Sequence, residues 1–69
     1  MNTNKLKNKM YEKGFNIAET AYLTGINKSS LYRKVNGFET FTVYEASKLK
    51  EILELTNLEA LEIFLARNK

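Results

Sequence analysis

The sequence predicts an all-α fold, a compact bundle of five short helices, from three observations. Apolar residues recur at helical spacing in every segment, and no run alternates with period two for long enough to be a strand. No proline occurs anywhere in the chain. Three stretches begin with Asn or Thr followed three residues later by Glu: Asn16 with Glu19, Thr42 with Glu45, and Thr56 with Glu59. That spacing lets the first side chain accept from the backbone N–H groups that open a helix while the glutamate reaches back. The 69 residues make a single domain, 1–69, with one core. A chain this short buries only about 60% of its unfolded surface, so its stability depends on close helix packing or on dimerisation.

Residues 1–3 read as a disordered start. The first helix is expected from about Asn4 to Lys13, with Leu6 and Met10 as its inner stripe and Gly14 as its end. Lys5, Lys7 and Lys9 lie largely around the other side, as a solvated face or as contacts to the phosphates of a nucleic acid. Tyr11 is free to pack on later helices or to cover an edge. Phe15 precedes the Asn16 cap at the position of a hydrophobic staple, which assigns it to the core, and Tyr22 is read in the same way with its hydroxyl reaching outward.

Residues 16–37 organise the chain as a helix-turn-helix. The first helix of the pair starts at the Asn16 cap, and Ala21 lets a second helix cross closely. Gly25, just past the helical run, supplies the left-handed position that ends it. Ile26 is the apolar residue of the turn and Asn27 caps the next helix. There Leu31 and Val35, four apart, form a narrow apolar stripe, which leaves Ser29, Arg33 and Asn36 pointing out with Lys28, Ser30 and Tyr32 on the flanks. Hydrogen-bond donors make up that outward face.

After Gly37 comes a loop, Phe38 to Phe41, in which one aromatic is expected to plug the core and Glu39 is the only acid near the outward face. The Thr42 cap opens a fourth helix to about Leu55, with Val43, Ala46, Leu49, Lys50 and Leu53 on its inner face. Thr56 opens the fifth, whose inner face reads Leu58, Leu61, Phe64 and Leu65. Tyr44, Ile52 and Ile63 fall off those faces, and several such residues together suggest a dimer seam or a docking site for another protein.

Composition narrows the chemistry. The chain has no His, Cys or Asp, so metal ligation and general-base catalysis lose their commonest residues, and no nucleophile-base spacing or glycine-rich phosphate loop appears. No enzyme activity, cofactor, catalytic residue or metal site is expected. Without cysteine there is no disulfide framework, and the expected location is the cytoplasm. The longest apolar run, residues 63–66, is far below a membrane span, and the lysine-rich start lacks the apolar core of a signal peptide. The net charge of +3 is uneven: residues 1–37 carry seven basic groups against two acidic, and residues 38–69 carry four against six. The cationic half contains the helix-turn-helix, which favours a polyanionic partner.

At Ala21, Gly25, Ile26, Leu31, the Asn36-Gly37 pair and the following FTVYEASKLKEIL run, the sequence resembles the Cro and repressor helix-turn-helix family of bacteriophages, the XRE-like class. The resemblance covers nearly the whole chain. Family members usually carry glutamine where Ile17 stands, a phosphate-contacting residue, and apolar residues where Thr20 and Thr24 stand. The resemblance implies a lambda-repressor-like DNA-binding domain: a sequence-specific, double-stranded DNA-binding transcriptional regulator that acts by occupying its operator. Two subunits would sit on adjacent half-sites in the host-cell cytoplasm. Motif position then assigns Lys28, Ser29, Tyr32 and Arg33 to base edges, and Asn16, Ser30, Lys34 and Asn36 to phosphates. Two structural alternatives stand beside these roles: Asn36 ends its helix, and Arg33 pairs with an acid such as Glu12 or Glu19. A second functional reading is an antirepressor or adaptor that binds another repressor protein, supported by Ile17, the acidic C-terminal half, and Ile52 and Ile63 off their faces.

Overall fold

The computed structural model describes residues 1–65, so residues 66–69, including the end of the 63–66 apolar run, lie outside the described residues. It contains five helices: α1 (Thr3–Glu12), α2 (Ile17–Thr24), α3 (Lys28–Val35), α4 (Val43–Ile52) and α5 (Asn57–Phe64). Each is opened by a side chain that accepts from the backbone: Asn2, Asn16, Asn27, Thr42 and Thr56. All three expected capping boxes are closed, with Glu19, Glu45 and Glu59 reaching back to their cap N–H groups. The start of the chain is ordered rather than loose. Asn2 caps α1 and its N–H donates to the Ile63 carbonyl at 2.8 Å, which ties the first residues to the last helix.

The helix ends follow one pattern, and it exposes an error in the expected length of α4. After α1, α3 and α4, a left-handed residue is followed by one whose N–H returns to a carbonyl five residues back: Phe15 to Met10, Phe38 to Arg33 and Leu55 to Lys50. After α4 the left-handed residue is Glu54 (φ 53°), so that helix stops at Ile52 instead of running to Leu55. No glycine marks the stop in the sequence. The Glu54 carboxylate lies 2.9 Å from Lys13 Nζ.

Leu6 and Met10 of α1, Ala21 of α2, Ile26 of the turn, Leu31 and Val35 of α3, and Leu49 of α4 form the core. It is completed by Leu53 and Leu55 after α4 and by Ile63 of α5. The helix α2 packs on α3 and α4, while α1 bridges α3 and α5. Thr20 and Thr24 occupy interior positions of α2 without leaving a polar atom unsatisfied. Thr20 Oγ1 donates to the Asn16 carbonyl at 2.8 Å and Thr24 Oγ1 to the Thr20 carbonyl at 2.7 Å. These back-bonds satisfy the hydroxyls inside their own helix, so both threonines serve as apolar residues. With Ile17 and Ala21 they complete the 17-20-21-24 stripe, and this corrects the reading of Tyr22, which is 87% exposed. Phe15 is half-buried against the core, and Phe41 is the loop aromatic that plugs it, edge-on to Phe64 with ring centroids 5.7 Å apart.

The rotation of α5 overturns its expected inner face. Ile63 is fully buried, whereas Leu58, Leu61 and Leu65 are exposed. Glu59 and Glu62, both on one side of Ile63 around the helix, meet Lys9 and Lys5 of α1, while the three leucines fall on the opposite side of α5. Ile63 therefore cannot belong to a seam with another chain. Ile52 is half-buried against the core, and of the three proposed seam residues only Tyr44 is exposed. Val43, expected inside, is exposed as well. The apolar surface instead lies between α4 and α5, in a groove bordered by Val43, Ala46, Lys50, Leu61, Phe64 and Leu65.

Two outcomes follow from this packing. Ile63→Ala should cost about 2–5 kcal/mol of unfolding free energy, as for other buried Ile and Leu truncations, while Leu61→Ala should stay within about 0.5 kcal/mol in the same urea titration. The Lys9 ammonium, with the Thr56 N–H second, holds the Glu59 carboxyl at about 2 against an ordinary 4.5. Because the folded value is the lower one, this contribution is present above about pH 4.5 and is lost as pH falls toward 2. Melts across that range should show a shallower acid loss for Glu59→Gln than for the unaltered chain.

Candidate nucleic-acid interface

The candidate face is built from α2, α3 and the turn between them. Gly25 takes φ 75° and its N–H donates to the Ala21 carbonyl at 2.9 Å, which ends α2 in one residue. Ile26 then drops into the core, and Asn27 Oδ1 accepts from the N–H groups of Ser29 and Ser30 to start α3 at once. Leu31 and Val35 are buried, so the opposite face of α3 must look outward.

Four residues assigned to base edges, Lys28, Ser29, Tyr32 and Arg33, line one shallow hollow together with Ile17 of α2. Tyr32 is 58% exposed and the Arg33 side chain 47% exposed, so both side chains are available to a partner. Where the family resemblance expects a polar side chain, Ile17 supplies an apolar floor packed against the core. Lys28 makes no ion pair among the described residues. The hollow offers an arginine fork, an ammonium and two hydroxyls around an apolar floor.

The four residues assigned to phosphates are not gathered in the same way. Asn16 sits at the start of α2, where its side-chain Oδ1 accepts from the Glu19 N–H at 2.8 Å. Ser30 is half-buried, its Oγ 3.5 Å from Arg33 Nη2. Asn36 donates its side-chain N–H to the Tyr32 carbonyl at 2.8 Å, which makes it part of the end of α3. Lys34 reaches to α4, where Nζ lies 2.8 and 2.9 Å from the two Glu45 oxygens, and both side chains are mostly buried. Burial pushes the Glu45 carboxyl up, but the hydrogen bonds from Lys34 and the Thr42 N–H outweigh it and leave it below its ordinary value.

Charge is distributed differently in space than along the chain. Five of the six acids of residues 38–69 pair with basic groups of residues 1–37: Glu62 with Lys5, Glu59 with Lys9, Glu54 with Lys13, Glu39 with Arg33 and Glu45 with Lys34. The cationic half is thus neutralised largely by the acidic half folded against it, and three of the α1 and α1–α2 lysines are occupied by acids. Arg33 pairs with Glu39, at 2.6 Å from Nε, and not with Glu12 or Glu19. Glu12 lies 3.6 Å from Lys9, and Glu19 is used by the Asn16 capping box. The sequence placed Glu39 near this face; its pairing with Arg33 depends on the fold of the turn that follows α3.

Because Lys34 holds a mostly buried carboxylate, Lys34→Ala should lower unfolding free energy by about 1–3 kcal/mol. Chemical denaturation measures it; a variant as stable as the parent would return Lys34 to the set of groups free to meet a phosphate.

In comparisons with known proteins, no protein-family model, curated protein or solved structure matches this chain.

Proposed function

We propose that this protein is a sequence-specific, double-stranded DNA-binding transcriptional regulator of the phage Cro and repressor type, which works in the cytoplasm by occupying its operator. The observation that carries this reading is the hollow on α3, where Lys28, Ser29, Tyr32 and Arg33 converge on the face opposite the buried Leu31 and Val35. A single helix presenting adjacent long donors suits the major groove, whose width admits one α-helix and whose base edges present a distinct donor and acceptor pattern for each pair. The Arg33 fork matches guanine O6 and N7, Ser29 and Tyr32 can donate or accept, and Ile17 offers apolar contact to a thymine methyl. Two subunits would read adjacent half-sites, and the apolar groove between α4 and α5 is available for their contact.

The same groove supports the second reading, an adaptor or antirepressor that binds another regulator, because exposed Val43, Leu61 and Leu65 suit a protein better than DNA. The two readings part in solution. Selection from random duplexes should yield a preferred site for the isolated chain, with a log-log salt slope of about −0.9 per phosphate neutralised. Arg33→Ala should then weaken binding to that site by about 1–3 kcal/mol more than binding to random duplex at one salt concentration. An unchanged specific-to-random ratio moves Arg33 out of the base-reading set, and no preferred duplex at all, with tight binding to a partner repressor, favours the adaptor.

A further inference from the structure

We propose that Glu39 is a specificity-determining positioning residue, which occupies the Nε edge of Arg33 and leaves its two terminal nitrogens as the pair that faces a base. The proposal rests on the reading of α3 as a base-reading helix. The turn after α3 brings the acid to the arginine. Gly37 takes φ 85°, the Phe38 N–H donates to the Arg33 carbonyl at 2.9 Å, and the chain therefore folds back over Arg33 just before Glu39. The turn passes close to α1, where a Cβ on Gly37 would stand 3.3 Å from the Thr3 methyl. Glu39 Oε2 then lies 2.6 Å from Arg33 Nε, while Nη2 donates only a long bond, 3.5 Å, to Ser30 Oγ, which a base acceptor can displace.

A guanidinium can grip two acceptors through its side, by Nε and Nη2, or through its end, by Nη1 and Nη2. With Nε given to Glu39, the end-on grip is the one left, and it matches the O6 and N7 of a guanine lying directly ahead of the side chain. The carboxylate acts a second time by opposing phosphates. It reduces the pull of Arg33 toward the DNA backbone at the same point where it orients the fork toward base edges, so it lowers affinity for wrong sequences while sharpening the right one. An ion pair this exposed adds little to folding stability, which keeps its effect on binding separable from its effect on the fold.

The test starts from the duplex that the unaltered chain selects from a random pool, and from the guanine in it whose replacement by adenine no longer matters once Arg33 is Ala. At that position the guanine-over-adenine preference should fall at least about fivefold in Glu39→Gln, within the range a bidentate contact supplies, while random-duplex affinity rises. Glu39→Asp keeps the charge but shortens the reach, so it should lose the preference as Glu39→Gln does and yet keep the random-duplex affinity of the parent. In an Arg33→Ala background, Glu39→Gln should still raise random-duplex affinity and leave the preference unchanged. Thermal melts of the single variants should coincide with the parent. If Glu39→Gln raises specific and random affinities by the same factor and retains the guanine preference, Glu39 only contributes charge and the positioning role is overturned, with the DNA reading intact. If no duplex is preferred over random by the unaltered chain, the DNA reading fails and the proposal with it.

Discussion

Every helix among the described residues is shorter than a helix that holds in water by itself. They run eight to ten residues, and isolated helices below about 12–15 residues are marginal even for favourable sequences. Each therefore depends on a side-chain cap at its start and on the core it shares with its neighbours. Two of the cap carboxylates do both jobs at once. Glu45 closes the Thr42 box and receives Lys34 from α3, and Glu59 closes the Thr56 box and receives Lys9 from α1. Local helix initiation and tertiary contact are thus coupled through single side chains.

The same coupling explains where the positive charge went. Lysines of α1 and the following turn pair with acids at α5 and at the turn before it, on the side of α5 next to the buried Ile63. Pairing takes up Lys5, Lys9 and Lys13 on that side of the molecule, and Lys28 with the partly satisfied Arg33 are the basic groups of the α3 hollow. An electrostatic footprint for DNA would then be small and local, concentrated on one helix, rather than spread over the N-terminal half.

On α3 the apolar stripe is only two residues wide, yet both are essentially sealed from solvent, and that is enough to set the helix's orientation. The close approach at Ala21, the left-handed Gly25 and the double acceptance by Asn27 leave the connection between α2 and α3 no slack. Such support would serve the base-reading role proposed for α3, because discrimination between bases depends on side-chain positions held to within a fraction of an ångström.

What the sequence determined by itself was local: the all-α class, the starts of α2, α3, α4 and α5 at their caps, the left-handed Gly25, and the outward Ser29 and Arg33, though Asn36, expected to point out with them, is half-buried. All of these depend on residues within one turn of each other, where spacing is the geometry. Tertiary structure alone decided which of two apolar stripes on α5 turned inward, because three leucines outnumber one isoleucine in any count along the helix, but Ile63 is on the side whose acids α1 pairs. Packing on α3 and α4 put Thr20 and Thr24 inside and Tyr22 outside, and local hydroxyl bonds to carbonyls four residues back make that burial possible. The end of α4 at a left-handed glutamate and the meeting of Glu39 with Arg33 likewise depend on how the chain turns back on itself. Side chains brought together by a turn or across a bundle have no fixed spacing in sequence, so their partners are chosen by the packing.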